Sequence, residues 1–193
     1  MTPTIIPFAE GEARLDWIEL TEAIAAGHGL PLAGTADVFL YRRADTVLSR
    51  AAFIDGLGAL VKTATVFPGN AAVGRPTING AVCLFADATG ELEALIDFHL
   101  VTKWKTAGDS LLAARRLARP DSRRVLIVGA GTVAASLIEA YSAGFPGVRF
   151  TFWNRSRARA EALAAGLPDA TVADDLAAAV AAADIICCAT MST

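Results

Sequence analysis

The chain has 193 residues, which is enough for one large domain or two small ones. With 54% hydrophobic and 19% charged residues it can bury a sizeable core, and its formal net charge of −3, without a long basic block, argues against a nucleic-acid-binding surface. The three cysteines have no metal-ligand spacing, so we expect free thiols in a cytoplasmic protein and no metal site.

The N-terminal segment gives no sign of export. It reads MTPTIIPFAEGEARLDW and has neither a basic start nor a long apolar run, so we expect no signal peptide. The apolar run Ala177–Ala183 is rich in alanine and too short to span a bilayer. We therefore expect neither a membrane nor a nucleic acid as a partner.

Residues 1–119 mix helical and strand-like patterns. Helices are predicted over Leu15–Ala26, before a segment rich in glycine and proline, and over Ala107–Ala118, which Pro120 would end. A turn is predicted over Ile54–Gly58. The predicted strands are Val38–Arg42, Thr46–Leu48, Leu60–Phe67, Gly80–Phe85 and Leu92–Asp97.

Residues 120–193 alternate strands with helices. The predicted strands are Val125–Val128, Val148–Trp153, Ala170–Val172 and Asp184–Thr190, and the predicted helices are Val133–Ser142, Ala158–Ala165 and Asp175–Ala183. Continuous apolar strands that alternate with helices are typical of a parallel sheet covered on both faces. The pattern therefore predicts an α/β fold, with an α+β domain over residues 1–119 and a parallel-sheet domain from residue 120.

The segment Gly129–Ala134, GAGTVA, fits the pattern G-x-G-x-x-A directly after a predicted strand and at the start of a predicted helix. Gly129 would allow the tight turn, Gly131 would let a diphosphate approach the backbone, and Ala134 would let the helix pack closely. The alternative is a tight turn that binds nothing. The cofactor-binding residues predicted here are Gly129, Ala130, Gly131, Thr132 and Val133.

The end of the next strand indicates which dinucleotide is bound. An NAD site usually has an acidic residue there, whereas this chain has Asn154, Arg155 and Ser156. Because an arginine can bind a 2′-phosphate by charge-assisted bonds, we favour NADP(H) over NAD(H), with Arg155 and Ser156 as the phosphate contacts. The alternative is that Arg155, like Arg157, belongs to the solvated face of the following helix.

The chain resembles the ornithine cyclodeaminase and mu-crystallin family. The resemblance rests on VKTATVFPGN at 61–70, on the segment 74–119 that contains LVTKWKTAGDS, and on VLIVGAGTVA at 125–134. It implies a substrate-binding and dimerisation domain over residues 1–119, followed over residues 120–193 by the first part of a Rossmann domain. It also implies a homodimer that pairs through the N-terminal part.

The resemblance implies a carboxylate-binding site with two lysines as its catalytic residues. By motif position these are Lys62 and Lys105, and an arginine on an earlier strand, matched loosely by Arg42 or Arg43, would assist them. Two neighbouring cations should lower the pKa of one lysine, which could then also shuttle protons. The further residues implied are Thr77 at the substrate, Thr106 as a helix cap beside the cofactor phosphates, and Thr190, Met191 and Ser192 against the cofactor.

The chain departs from the family pattern in two ways. Lys105 stands where the family often has arginine, and an ammonium binds a carboxylate as a point charge rather than through two parallel bonds. The family's sheet also continues beyond a fourth strand and carries its acidic catalytic residue there, so we expect residues 1–193 to be the N-terminal part of a longer protein.

Three functions remain open from the sequence. The first is an NAD(P)H-dependent oxidoreductase that acts on a small amino or cyclic imino acid, as in reduction of a pyrroline-carboxylate. The second is an ornithine or lysine cyclodeaminase with tightly held NAD, against which Arg155 argues. The third is a protein that binds NADPH and a small ligand without catalysis.

Overall fold

The computed structural model describes residues 2–190, which divide into two compact units. The first unit contains the chain up to Leu15 and Ala26–Thr102, and the second contains Asp16–Ala25 and the chain from Lys103 onward. The predicted boundary lay after residue 119. The boundary in the structure lies earlier, between Thr102 and Lys103. It falls inside a long helix that begins at Phe98, and most of that helix belongs to the second unit.

A six-stranded sheet forms the first unit. Its strands are β1 (Thr4–Ile6), β2 (Gly34–Arg42), β3 (Asp45–Ile54), β4 (Gly58–Val66), β5 (Ile78–Phe85) and β6 (Leu92–Asp97). They lie in the order β1-β6-β5-β4-β3-β2, with β1 parallel to β6 and the other pairs antiparallel. The five predicted strands are confirmed, although β2 and β3 are longer than predicted. The sequence did not indicate β1 or the short helix α1 (Phe8–Glu12), because each is too brief to show a period.

Two short turns set the register of the central strands. Arg42 pairs with Asp45, so a two-residue turn joins β2 to β3, and Arg43 adopts a φ of 56° in it. Ile54 pairs with Gly58, so three residues join β3 to β4, as the predicted turn requires. Because antiparallel strands pair residue by residue from the turn, these two loops determine which side chains lie next to each other across the sheet.

The second unit contains a four-stranded parallel sheet. Its strands are β7 (Arg124–Val128), β8 (Arg149–Trp153), β9 (Thr171–Val172) and β10 (Ile185–Cys188), in the order β10-β7-β8-β9. The helices are α2 (Trp17–Gly27), α3 (Phe98–Leu117), α4 (Thr132–Gly144), α5 (Arg157–Ala164) and α6 (Leu176–Ala182). Of α2, the first nine residues belong to this unit, and of α3, the part from Lys103 onward. The predicted alternation and parallel sheet are confirmed.

Helix α3 begins nine residues before the predicted start at Ala107. The segment FHLVTKW is rich in aromatic and β-branched residues, which favour strands and obscure the helical pattern. Asp97 initiates the helix, because its carboxylate accepts the backbone N–H of Leu100 at 2.9 Å. The buried residues Leu100, Trp104 and Ala107 then follow the three-to-four-residue spacing of a helix.

Helix α3 packs within the second unit through aromatic and polar contacts. Trp104 is buried and stacks on Trp17 of α2 with ring centroids 3.9 Å apart. The hydroxyls of Ser110 and Tyr141 lie 3.0 Å apart, which joins α3 to α4. Burial raises the pKa of Tyr141 and also that of the neighbouring Cys187 thiol, so this thiol stays protonated at neutral pH.

Within residues 2–190, no helix combines the length and the apolar character that crossing a bilayer would require.

Candidate functional site

The predicted glycine turn connects β7 to α4 in the second unit. Gly129 has a φ of 122°, and its N–H donates to the carbonyl of Trp153 at 2.9 Å. A Cβ at Gly129 would lie 2.4 Å from the carbonyl oxygen of Ala189, so a side chain has no room there. This is the tight turn that the sequence predicted.

The start of α4 offers an open backbone surface. Gly131 is the N-cap residue, it is exposed, and a Cβ built on it would meet nothing within 4 Å. Ala134 is fully buried, which lets the helix pack closely. A helix N-terminus has unpaired N–H groups and a positive dipole end, so this surface fits a diphosphate in shape and in charge.

The residues after β8 leave one arginine available. Arg155 is exposed and forms no ion pair with any described residue, whereas Arg157 binds Glu161 at 2.7 Å and also Asp174. The amide of Asn154 donates to the carbonyl of Ser156 at 2.9 Å and orders this short segment. Arg155 is therefore accessible to a ligand, and its role as a phosphate contact stays a prediction.

The chain that leaves β10 lies against the same turn. The N–H of Ala189 donates to the carbonyl of Val128 at 2.7 Å, and the exposed Thr190 follows it. Thr190 is thus placed at the edge of the sheet where Gly129 stands. Met191 and Ser192, which were also predicted to contact the cofactor, lie outside the described residues.

Lys62 occupies a defined position on β4 in the first unit. Its ammonium donates to the hydroxyl of Thr102 at 2.9 Å and lies 4.7 Å from the ring centroid of Phe98. Gly80 permits this arrangement, because a Cβ there would come within 2.5 Å of the Phe98 ring. Lys62 is therefore half-buried under the first turn of α3.

Lys105 and Thr106 lie on the part of α3 that belongs to the second unit. The Lys105 side chain is 65% exposed and forms an ion pair with Asp109 one turn further along. The prediction that Thr106 caps the helix is wrong, because α3 begins at Phe98 and Thr106 lies in its interior. The Lys103 side chain, by contrast, is only 15% exposed and binds Glu139 at 2.7 Å.

The remaining predicted substrate residues lie near the ends of strands. Thr77 is half-buried just before β5, and its carbonyl accepts the N–H of Phe67 at 2.8 Å. Arg43 lies in the β2–β3 turn, and Arg42 binds Asp45 at 3.0 Å. The residue of β3 that pairs with Lys62 is Arg50, five residues or about 17 Å along the strand from Asp45.

Arg50 and its ion-pair partner Asp37 are charged residues near Lys62 that the sequence analysis did not single out. Their pairing follows from the lengths of the two turns, because Arg42 opposite Asp45 places Asp37 opposite Arg50, and Ile54 opposite Gly58 places Arg50 opposite Lys62. The sequence predicted the turn over 54–58 but not the two-residue turn between β2 and β3. It therefore contained only part of the information needed to place Asp37 and Arg50 opposite each other.

A cleft of about 750 Å³ opens beside the first halves of β7 and β8 and is lined by Arg124, Arg149, Asp169 and Ala182 among others. Ligands of open parallel sheets bind outside the carboxyl ends of the strands, so we assign no cofactor to this cleft. Among residues 2–190 there is no cluster of three histidine, cysteine, aspartate or glutamate side chains that could hold a metal ion.

Comparison with known proteins agrees with the resemblance noted in the sequence. The family model for the ornithine cyclodeaminase/mu-crystallin family matches residues 52–193. The chain belongs to this family. It is also 49% identical, over 195 aligned residues and 98% of its length, to a Delta(1)-pyrroline-2-carboxylate reductase of Paracoccus denitrificans, and it spans 62% of that protein.

Solved structures show the same fold. A Delta(1)-pyrroline-2-carboxylate reductase of Thermococcus litoralis, in complex with NADH and L-proline, matches with a TM-score of 0.81 at 20% identity, over 98% of this chain and 62% of that one. An archaeal alanine dehydrogenase dimer with bound NAD matches with a TM-score of 0.78 at 22% identity, over 90% of this chain and 56% of that one.

Proposed function

We propose that the protein is an NAD(P)H-dependent reductase of small cyclic imino acids, which converts a substrate of the Delta(1)-pyrroline-2-carboxylate type to the cyclic amino acid. The observation that carries this proposal is the 49% identity, over nearly the whole chain, to a reductase of that name. The open glycine turn and the ordered Lys62 support it, because they supply a diphosphate surface and a carboxylate-binding cation.

Residues of the second unit would hold the nicotinamide cofactor, which supplies a hydride when it is bound. The open backbone at Gly131 and the start of α4 would receive the diphosphate, and Thr190 would lie against the cofactor. Close approach is possible because Gly131 carries no Cβ. Among the described residues, those proposed for cofactor contact are Gly129, Ala130, Gly131, Thr132, Val133, Asn154, Arg155, Ser156 and Thr190.

Lys62 would bind and orient the substrate carboxylate. Thr102 and the Phe98 ring hold its ammonium in place, so less side-chain entropy is lost when an anion binds. Lys105 is proposed as a second cation for the same carboxylate, and Thr77 as a substrate contact. Orientation of the imine carbon by fixed cations can supply much of the rate, because it makes the reacting geometry intramolecular.

We favour NADP(H) as the cofactor. Arg155 is exposed and has no carboxylate partner among the described residues, and the segment Asn154–Ser156 contains no acidic side chain that would repel a 2′-phosphate. The neighbouring Arg157 is held by two carboxylates. Arg155 can therefore bind a phosphate without breaking an ion pair, whereas Arg157 cannot.

A homodimer in the cytoplasm is the proposed assembly. Strand β2 is an edge of the sheet, and its residues Val38, Phe39, Leu40 and Tyr41 are each at least 48% exposed. A long exposed apolar edge strand is an aggregation hazard unless it is covered, and a second copy of the chain would cover it. Sedimentation analysis of Leu40→Glu, which places a charge on this edge, should show monomer where the unaltered protein shows dimer.

Steady-state assays of the natural full-length protein test the proposed activity. Oxidation of NADPH in the presence of Delta(1)-pyrroline-2-carboxylate, with formation of L-proline, is the expected result. Ammonia release from ornithine or lysine without net NADPH consumption would instead identify a cyclodeaminase. Tight NADPH binding without turnover of any cyclic imino acid would identify a non-catalytic binding protein.

A further inference from the structure

The cleft beside the first halves of β7 and β8 lies far from the glycine turn on the same sheet. The glycine turn follows the carboxyl end of β7, whereas the cleft is lined by the residues at the amino ends of β7 and β8. Its volume of about 750 Å³ falls within the range of pockets that hold small molecules. The second unit therefore has a concave surface that the proposed cofactor site does not use.

Helix α6 forms an apolar wall of this cleft. Ala179, Ala182 and Ala183 line it, and their spacing of three and four residues places them on one face of the helix. The sequence of α6 is apolar throughout, LAAAVAA, yet none of its described residues is buried. An apolar helix normally buries one face against its sheet, so the small methyl groups leave space here that an apolar guest can fill.

The floor of the cleft is one face of the parallel sheet. Arg124 pairs with Arg149, and Leu126 pairs with Thr151, across β7 and β8. Because side chains alternate along a strand, these two rows lie on the same face. The hydroxyls of Thr151 and Thr171 lie 3.1 Å apart and extend the second row to β9. The floor thus changes from two exposed arginines to a leucine and two hydroxyls further along the strands.

Two opposite charges in the lining have no partner within the described part of the chain. Arg124 is compensated, because its Nε and Nη2 donate to the Asp184 carboxylate at 3.3 and 2.8 Å. Arg149 and Asp169 are exposed and line the same cleft, but neither forms an ion pair with any described residue. A ligand that carries both charges could contact the two side chains at once.

We propose that this cleft binds a free α-amino acid with an apolar side chain. Arg149 would bind its carboxylate and Asp169 its ammonium, and the apolar side chain would lie between α6 and the sheet. The charges favour a zwitterion, because an anion would leave Asp169 unpaired and a cation would leave Arg149 unpaired. This site goes beyond the proposed reductase activity and does not depend on it.

Calorimetric titration of the full-length protein with L-phenylalanine tests the ligand class. We expect saturable binding with one ligand per chain. Two analogues that each lack one charge, 3-phenylpropionate and 2-phenylethylamine, should bind about tenfold more weakly or worse, because each loses one charge-assisted contact. No saturable binding at about 10 mM L-phenylalanine would overturn the proposal, and so would equal affinity for the amino acid and either analogue.

Variants of the two charged residues test the location. Arg149→Met and Asp169→Asn should each raise the Kd for L-phenylalanine about tenfold or more. Asparagine suits position 169 because Asp169 has a φ of 60°, a conformation that asparagine also tolerates. The matched control is Arg116→Met, at another exposed arginine without an ion pair to any described residue, and it should leave the Kd unchanged. An unchanged Kd in a folded Arg149→Met variant would overturn the proposal.

Two further variants separate this cleft from the proposed substrate site. Ala179→Phe places a ring in the cleft, so it should abolish L-phenylalanine binding while imine reduction and Tm are retained. Lys62→Met should leave L-phenylalanine binding unchanged. Retained binding in Ala179→Phe, or lost binding in Lys62→Met, would overturn the proposal. If the unaltered protein binds L-phenylalanine through Arg149 but reduces no cyclic imino acid, the cleft site stands and the proposed function fails.

Discussion

The glycine turn of the second unit and the charged residues Asp37, Arg50 and Lys62 of the first unit differ in what they are made of. The glycine turn is made of backbone: Gly129 has a positive φ and no room for a Cβ, whereas a Cβ at Gly131 would meet open space. The three charged residues are side chains at directly paired positions of β2, β3 and β4. Adding a methyl group should therefore impair the glycine turn. Removing a charge from the first unit should impair substrate binding while leaving the fold intact.

The largest effect is expected when a methyl group is added at Gly129. In Gly129→Ala the new Cβ would meet the Ala189 carbonyl at 2.4 Å and would impose a φ of 122° on an L-residue. Strain and overlap together should lower the free energy of unfolding by about 3 kcal/mol, measured by chemical denaturation.

The matched change at Gly131 separates stability from binding. In Gly131→Ala the new Cβ meets nothing within 4 Å, so the free energy of unfolding should change by less than about 0.5 kcal/mol. The Kd for NADPH should nevertheless rise roughly tenfold, because the methyl group stands where the diphosphate approaches. Unchanged NADPH affinity in Gly131→Ala would contradict the placement of the diphosphate.

The next largest effect is expected at Lys62. Lys62→Met keeps the length of the side chain but removes the ammonium, so the KM for the imino acid should rise about 30- to 100-fold in initial-rate assays. The control is Lys103→Met, which removes an ion pair to Glu139 and should lower Tm without changing KM. If Lys103→Met raised the KM as strongly as Lys62→Met, Lys62 would not be the cation that binds the substrate carboxylate.

A smaller effect is expected on the choice of cofactor. Arg155→Ala should lower kcat/KM for NADPH about 10- to 50-fold and leave that for NADH unchanged, because only NADPH carries the 2′-phosphate. Arg157→Ala, whose arginine is already held by Glu161 and Asp174, should change neither value. Equal losses with both cofactors would show that Arg155 does not distinguish them.

The same contrast explains what the sequence could predict. The glycine turn was predicted to the residue, because its chemistry follows from a contiguous pattern after an apolar strand. The candidate role of Lys62 came from the family resemblance, whereas the neighbouring pair Asp37–Arg50 was not predicted because its position depends on the exact register of two hairpins. Thr106 was misplaced because the start of α3 is marked by Asp97, inside a segment with strand-like composition.

A side-chain network also ties the second sheet together, at the end of its strands opposite the glycine turn. The Asp184 carboxylate, 7% exposed, accepts the backbone N–H groups of Arg123 and Arg124 at 3.0 and 2.9 Å and also binds the Arg124 and Arg119 guanidinium groups. These hydrogen bonds hold the pKa of Asp184 well below its usual value of 3.8. The contribution to stability is therefore complete above that value and is lost as pH falls below it.

Replacement of this carboxylate gives a pH-dependent prediction. Asp184→Asn should lower Tm at neutral pH, and the difference from the unaltered protein should shrink in melts at about pH 3, where the native carboxylate begins to lose its advantage. Asp121→Asn, at an exposed carboxylate 3.5 Å from Arg119, should change Tm little at either pH. A Tm difference for Asp184→Asn that is independent of pH would mean that the network acts through packing rather than charge.

The smallest effect concerns a buried hydroxyl near the same network. Ser122 is 1% exposed, and its hydroxyl has no hydrogen-bond partner among the described residues, whereas the equally buried Ser136 donates to the Thr132 carbonyl at 3.0 Å. A buried polar group without a partner costs free energy, so Ser122→Ala should raise the free energy of unfolding by up to about 1 kcal/mol.

Ser136→Ala should instead lower the free energy of unfolding by about 0.5 to 1 kcal/mol, because it removes a hydrogen bond that is made. Chemical denaturation of the two variants side by side measures the difference in sign. Loss of stability in both variants would mean that a bound water satisfies the Ser122 hydroxyl, and this end of the second sheet would then be polar and hydrated rather than closed by its own side chains. Changes of opposite sign in the two variants would show that the Ser122 hydroxyl is buried without a bound water as its partner.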